Sequence, residues 1–160
     1  LIIETDKFGV VDIQDNRVID FPTGLPGFEG LKRFIIMEIE ETKPIYWLQS
    51  TEDKHISLPL ILTFDIFHDY YIDIRDSDLE GLQFESNTDL SIMNVVVIPE
   101  KIEEMTVNLA APIVINVKRG IAKQIIVDAA ELPIRFPVYE AVMKSLEGGG
   151  ENAGLITEEG

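Results

Sequence analysis

The sequence contains no cysteine. Disulfides, thiolate nucleophiles and cysteine-ligated zinc or iron–sulfur sites are thereby excluded. Only two histidines and one tryptophan occur. Basic residues are also scarce, with 13 Lys and Arg against 29 Asp and Glu, for a formal net charge of -16. A surface of that sign repels phosphates, which argues against direct binding to DNA, RNA or anionic membranes. No apolar run approaches the roughly 20 residues that span a bilayer. The first residues, Leu1 to Asp6, carry no basic stretch and no cleavage motif, so cytoplasmic is the expected location.

Apolar residues are plentiful, at 46% of 160 residues. That length suits a single domain, and that composition can bury a core. The acidic excess keeps such a domain soluble and would also speed its encounter with a basic partner.

Short β-branched runs separated by turn residues predict a mostly β domain. Phe8 to Ile13 and Arg17 to Phe21 read as strands joined by a tight Asp15-Asn16 turn. Further strands are expected over Arg33–Ile39, Ile45–Gln49, Leu58–Phe64, Tyr71–Ile74, Ser91–Ile98, Met105–Leu109, Ile113–Val117 and Ile121–Val127. Pro59 pushes its strand toward a sheet edge. Arg119-Gly120 marks a hairpin between the last two. A short helix is expected from Asp78 to Phe84, capped by Ser77, with Gly81 as its weak point. Val138 to Leu146 reads as a closing helix. Strands at near-regular spacing without long helices between them predict an antiparallel barrel-like or sandwich domain with one or two short helices. Residues 1–138 form the single β-rich domain of this reading, and residues 139–160 a short helix and a mobile acidic tail.

Gly24, Gly27 and Gly30 invite comparison with a phosphate-binding loop, but the spacing is not a dinucleotide fingerprint and no Gly-Lys-Ser/Thr follows. Pro22 and Pro26 also remove amide donors, so a rigid inter-strand turn is the better account. A rigid turn costs little to immobilise on binding, and Leu25 and Phe28 are apolar residues within it. Pro44 to Ser50 holds the only Trp, and strand alternation places Tyr46 on one face and Trp47 on the other. Such aromatics suit either a core or an interface. His68 lies between Asp65, Asp69 and Asp73, a set without recognised metal-ligand spacing. It defines the alternative reading, a small acidic β-barrel enzyme with a carboxylate/His site near Asp65–Asp73. A deep pocket lined by perturbed carboxylates would favour that enzyme. A partly apolar surface rimmed with acids would favour a binding protein.

Several of these blocks carry a family resemblance. Phe21-Pro22-Thr23-Gly24-Leu25-Pro26-Gly27-Phe28-Glu29-Gly30-Leu31 resembles the opening signature of the FliW family. Tyr46-Trp47-Leu48-Gln49-Ser50 resembles its second block, and Met105 to Asn116 its third. Gln124 to Val127, followed by Pro133-Ile134-Arg135, is similar to its closing strand and turn. The blocks run in order across about residues 8 to 138, with Phe136 standing where the family pattern has His.

The resemblance implies a cytoplasmic flagellar assembly factor without catalytic site or cofactor. It implies two protein partners. One is flagellin, held soluble in a chaperone role. The other is CsrA, a small dimeric RNA-binding regulator that represses translation of flagellin message. Once flagellin is exported, the free protein would capture CsrA and relieve the repression. The matching motif positions that become candidate partner contacts are Gly24, Leu25, Pro26, Gly27, Phe28 and Glu29, then Tyr46, Trp47 and Gln49, then Asn108 and Asn116. Glu103 and Glu104 are the acidic candidates for a basic partner.

Overall fold

A computed structural model describes residues 1–127 and 132–147. Strands β1 (Ile2–Thr5) and β2 (Gly9–Asp12) open the chain as a ribbon of their own. Strands β3 (Val18–Asp20), β4 (Arg33–Glu38), β5 (Tyr46–Ser50) and β6 (Ser57–Leu62) follow, and helix α1 (Thr63–Ile66) ends this half. The second half carries β7 (Leu90–Val97), β8 (Thr106–Val107), β9 (Ile113–Asn116), β10 (Ile121–Gln124), β11 (Phe136–Pro137) and helix α2 (Tyr139–Glu147).

Seven strands close into a barrel in the order β7-β6-β5-β4-β3-β10-β9, and β9 pairs back to β7. Met93 is one closure point, because it opposes Leu62 on one side and Ile113 on the other. The junctions are antiparallel except β3–β10, which is parallel through Asp20 and Ile121. Strands β8 and β11 extend from the far end of β7. Closure removes the exposed edges that an open sheet presents.

Alternation sorts the side chains into two layers. Phe34, Leu48, Leu60, Met93, Ile113 and Ile115 fill the barrel with Tyr46. The opposite faces of β5, β6 and β7 bury Trp47, Ile61 and Val96 beneath Val107, Val138 and Val142. Each such side chain stabilises the fold by about 1.5–3 kcal/mol. Strand β5 is therefore buried at all five positions, the polar Gln49 and Ser50 included.

Several sequence expectations are corrected. The expected Phe8–Ile13 strand pairs with Ile2–Thr5 rather than with Arg17–Phe21. Thr5 makes the difference, since its Oγ1 donates to the Gly9 carbonyl at 2.8 Å and accepts from the Phe8 amide at 2.9 Å, closing the turn early. Asp15 and Asn16 sit instead in a single 3-10 turn. Pro59 is not on a barrel edge; it opposes Trp47 on β5, and the pairing with β7 starts only at Leu60, so no partner is denied its missing amide. The expected Leu58–Phe64 strand turns into α1 after Leu62. The Met105–Leu109 strand contracts to two residues, and the Ile121–Val127 strand stops at Gln124. Tyr71 to Ile74 joins no strand. The expected Asp78–Phe84 helix is one 3-10 turn over Asp76–Leu79, with Arg75 rather than Ser77 at its start. Gly81 at φ +90° and Gln83 at φ +56° prevent a right-handed helix from continuing. The expected hairpin at Arg119-Gly120 and the closing helix are present. The acidic tail lies outside the described residues.

Candidate functional site

The loop from β3 to β4 stoppers one end of the barrel. The Gly24 amide donates to the Phe21 carbonyl at 2.8 Å, and Phe21 itself is fully buried. A tight turn runs from Leu25 to Phe28, closed by the Phe28 amide on the Leu25 carbonyl at 2.8 Å. Pro26 and Gly27 occupy its two central places, and Gly27 has φ +88°, the pattern of a type II turn. Leu25 is buried and Phe28 half-buried, both packed on the barrel core. Pro26, Gly27 and Glu29 remain exposed at the tip. The Glu29 carboxylate accepts from the Gly27 amide at 3.1 Å. Its own backbone amide, then that of Gly27, and the Lys32 charge hold it below the usual carboxylate range. The tip thus presents a fixed negative charge on a rigid support.

The second group of candidates lies in the interior. Tyr46, Trp47 and Gln49 are all buried: Tyr46 packs inside the barrel, and Trp47 lies beneath the N-terminal ribbon and the outer layer. Trp47 donates from Nε1 to Thr42 Oγ1 at 2.9 Å, meets the Phe8 ring edge-on at 5.9 Å, and lies 3.8 Å under the Lys7 ammonium. Gln49 donates from Nε2 to the Ser50 carbonyl at 3.0 Å. Opposing strands place Gln49 beside Ser57, and Gln49 Oε1 and Ser57 Oγ have no hydrogen-bond partner among the described residues.

Asn108 and Asn116 serve the backbone. Asn116 is 1% exposed; its Nδ2 donates to the Leu82 carbonyl at 2.7 Å, and its Oδ1 accepts from the amides of Lys118 and Arg119 at 3.2 and 3.3 Å. It therefore shapes the β9–β10 turn and anchors the segment that covers β9. Asn108 is half-buried and accepts from the Ala110 amide at 3.0 Å, while its carbonyl takes the Asn94 amide group at 2.7 Å. Glu103 and Glu104 are exposed on a 3-10 turn, beside Ile102, which is itself 46% exposed. Of the motif candidates, then, the loop tip and Glu103-Glu104 face solvent, whereas β5 and the two asparagines hold the scaffold.

His68, Asp69 and Asp73 are exposed and Asp65 is half-buried. Among the described residues no group of three or more His, Asp and Glu side chains is placed to hold a metal ion. Nor is any helix among them long and apolar enough to cross a membrane. Two concavities occur nearby. The barrel mouth opposite the stopper forms a cavity of about 600 Å³ lined by Ile36, Tyr46, Met93 and Ile115. A groove of about 850 Å³ runs beside α1, with Phe64 and Tyr71 on its wall. Sequence reasoning missed these two aromatics as surface features. The signal was present in Tyr71-Ile72-Asp73-Ile74, where alternation leaves Tyr71 and Asp73 on the side away from the isoleucines.

Comparison with known proteins converges on one family. The model of the FliW protein family matches residues 2–138. Flagellar assembly factor FliW of Caldicellulosiruptor saccharolyticus is 35% identical over 146 residues, covering 91% of this chain and 95% of that protein. The Thermosipho africanus protein of the same name is 38% identical over 135 residues, covering 84% and 93%. A crystal structure of the flagellar assembly factor FliW superposes with a TM-score of 0.80 at 30% identity, covering 86% of this chain and 96% of that one.

Proposed function

The chain belongs to the FliW family, and from that premise we propose that it is a non-catalytic cytoplasmic factor with two protein partners. It binds flagellin as a chaperone, and it binds the RNA-binding regulator CsrA, relieving repression of flagellin translation. The observation that carries this reading beyond the family name is electrostatic. A protein with a formal net charge of -16 is matched to a regulator that must be basic to hold RNA. Docked on CsrA, it lowers the attraction for RNA phosphates even where it leaves part of the RNA site uncovered.

The exposed tip of the stopper loop, Pro26, Gly27 and Glu29, is the preorganised contact in this reading. Glu103 and Glu104 are the contacts for basic surface. The buried members of the same motifs, Leu25, Tyr46, Trp47, Gln49 and Asn116, act by holding the barrel in shape. Calorimetric titration with purified CsrA and, separately, with flagellin tests the proposal. Saturable binding to both, weaker at higher salt for CsrA, is the expected result. A folded sample that binds neither would refute it.

A further inference from the structure

The groove beside α1 combines exposed aromatics with acidic side chains. Its wall carries Tyr71 at 77% exposure and Phe64 at 44%, both large aromatics of the kind that anchor interfaces. The charged side chains lining it, Asp65, Asp73 and Asp76, are all acidic, and no Lys, Arg or His lines it among the described residues. The adjacent Arg75 is directed to Asp78, with Nε 3.5 Å from that carboxylate. Ile72, half-buried, lines the groove with them. An apolar floor with a rim of one charge is the anatomy of a protein contact.

We infer that this groove seats a basic polypeptide segment whose Lys or Arg residues flank an aromatic or aliphatic anchor. The occupant follows from charge complementarity: the exposed carboxylates of the rim are Asp73 and Asp76, and a basic segment offsets their charge where a neutral or acidic one would bury it uncompensated. The inference deepens the proposed function and rests on it, since it makes the groove the seat for basic surface of CsrA. Glu103 and Glu104 then contribute at a second place rather than as the centre. Asp73, which sequence reasoning gathered with Asp65, Asp69 and His68 as an enzyme alternative, becomes a recognition group.

The test uses the full chain and purified CsrA in calorimetric titrations at moderate salt. Three variants are compared with the unaltered protein: Tyr71→Ala, Asp73→Asn with Asp76→Asn, and Glu4→Gln with Glu41→Gln. The last pair removes the same charge from exposed positions elsewhere. Tyr71→Ala is expected to weaken binding at least about tenfold, as for an aromatic anchor. The Asp73/Asp76 pair is expected to weaken it at least about fivefold, and the Glu4/Glu41 pair less than about twofold. Unchanged melting temperatures identify a surface effect. If the unaltered protein binds CsrA and the groove variants bind as well as it does, the groove is not the seat, while the proposed function stands. Equal weakening by both charge pairs, with Tyr71→Ala silent, also overturns the groove and leaves only global attraction. If the unaltered protein does not bind CsrA, both the reading and the groove fall.

Discussion

Gly24 and Glu29 approach so closely that a Cβ added to Gly24 would lie 2.6 Å from the Glu29 carbonyl oxygen. Gly24 also sits at φ +69°, where an L side chain is strained. Gly27, three residues on, shares the positive φ but has open space around it. The two glycines therefore separate strain from collision. Gly27→Ala is expected to cost about 1 kcal/mol, the penalty of the left-handed region alone. Gly24→Ala is expected to cost about 3 kcal/mol, because backbone must also move. Urea denaturation of the two variants measures the difference, and equal costs would show that the contact at Glu29 does not constrain the loop.

Trp47 is the only tryptophan, so its emission reports one place in the molecule. Phe8 and Lys7 cover it from the N-terminal ribbon. Phe8→Ala is expected to lower stability by about 2 kcal/mol, below the cost for a fully buried ring because Phe8 is half-buried. The emission maximum should move to longer wavelength as water reaches the indole. An unchanged spectrum would mean that the ribbon does not shield Trp47.

Asp89 is 5% exposed and accepts from the amides of Glu85 and Ser86, both at 3.2 Å, with Lys118 Nζ at 3.3 Å. Burial pushes its carboxyl up, but those amides and the Lys118 ammonium outweigh burial and hold it below the usual range. A carboxyl depressed in the fold stabilises it above the unfolded value of about 3.9. That contribution is lost as pH falls through the folded value. Asp89→Asn should therefore melt lower than the unaltered protein at neutral pH, and the gap should narrow on acidification below about pH 4. Melting curves from pH 7 downward check this, and a gap independent of pH would assign the effect to packing alone.

Sequence patterns reached the strand content and several turns because those are local. Gly120, at φ +65°, marks the β9–β10 hairpin, and the Pro26-Gly27 pair marks the tight turn of the stopper loop. The expected barrel-like or sandwich architecture is present as a barrel, but the choice between the two was not legible, because closure depends on Met93 meeting Leu62 and Ile113 at once across distant sequence. The same limit applied to β2, whose partner was fixed by the Thr5 side chain rather than by the apparent turn at Asp15-Asn16. For the site, the motifs pointed to conformation as much as to contact. Trp47 and Gln49 belong to a strand buried on both faces, and alternation alone could not reveal that an outer layer covers them. Tyr71, by contrast, reads as one more strand residue until the chain around it is seen to leave the sheet.

In the proposed function this acidic protein takes CsrA away from RNA. The most direct measurement is fluorescence anisotropy of a labelled flagellin-message RNA held by CsrA, followed as this protein is added. The account predicts a saturable fall toward the anisotropy of free RNA, reversed when flagellin is supplied in excess and weakened by added salt. Anisotropy that stays at the CsrA-bound value under saturating protein would contradict it.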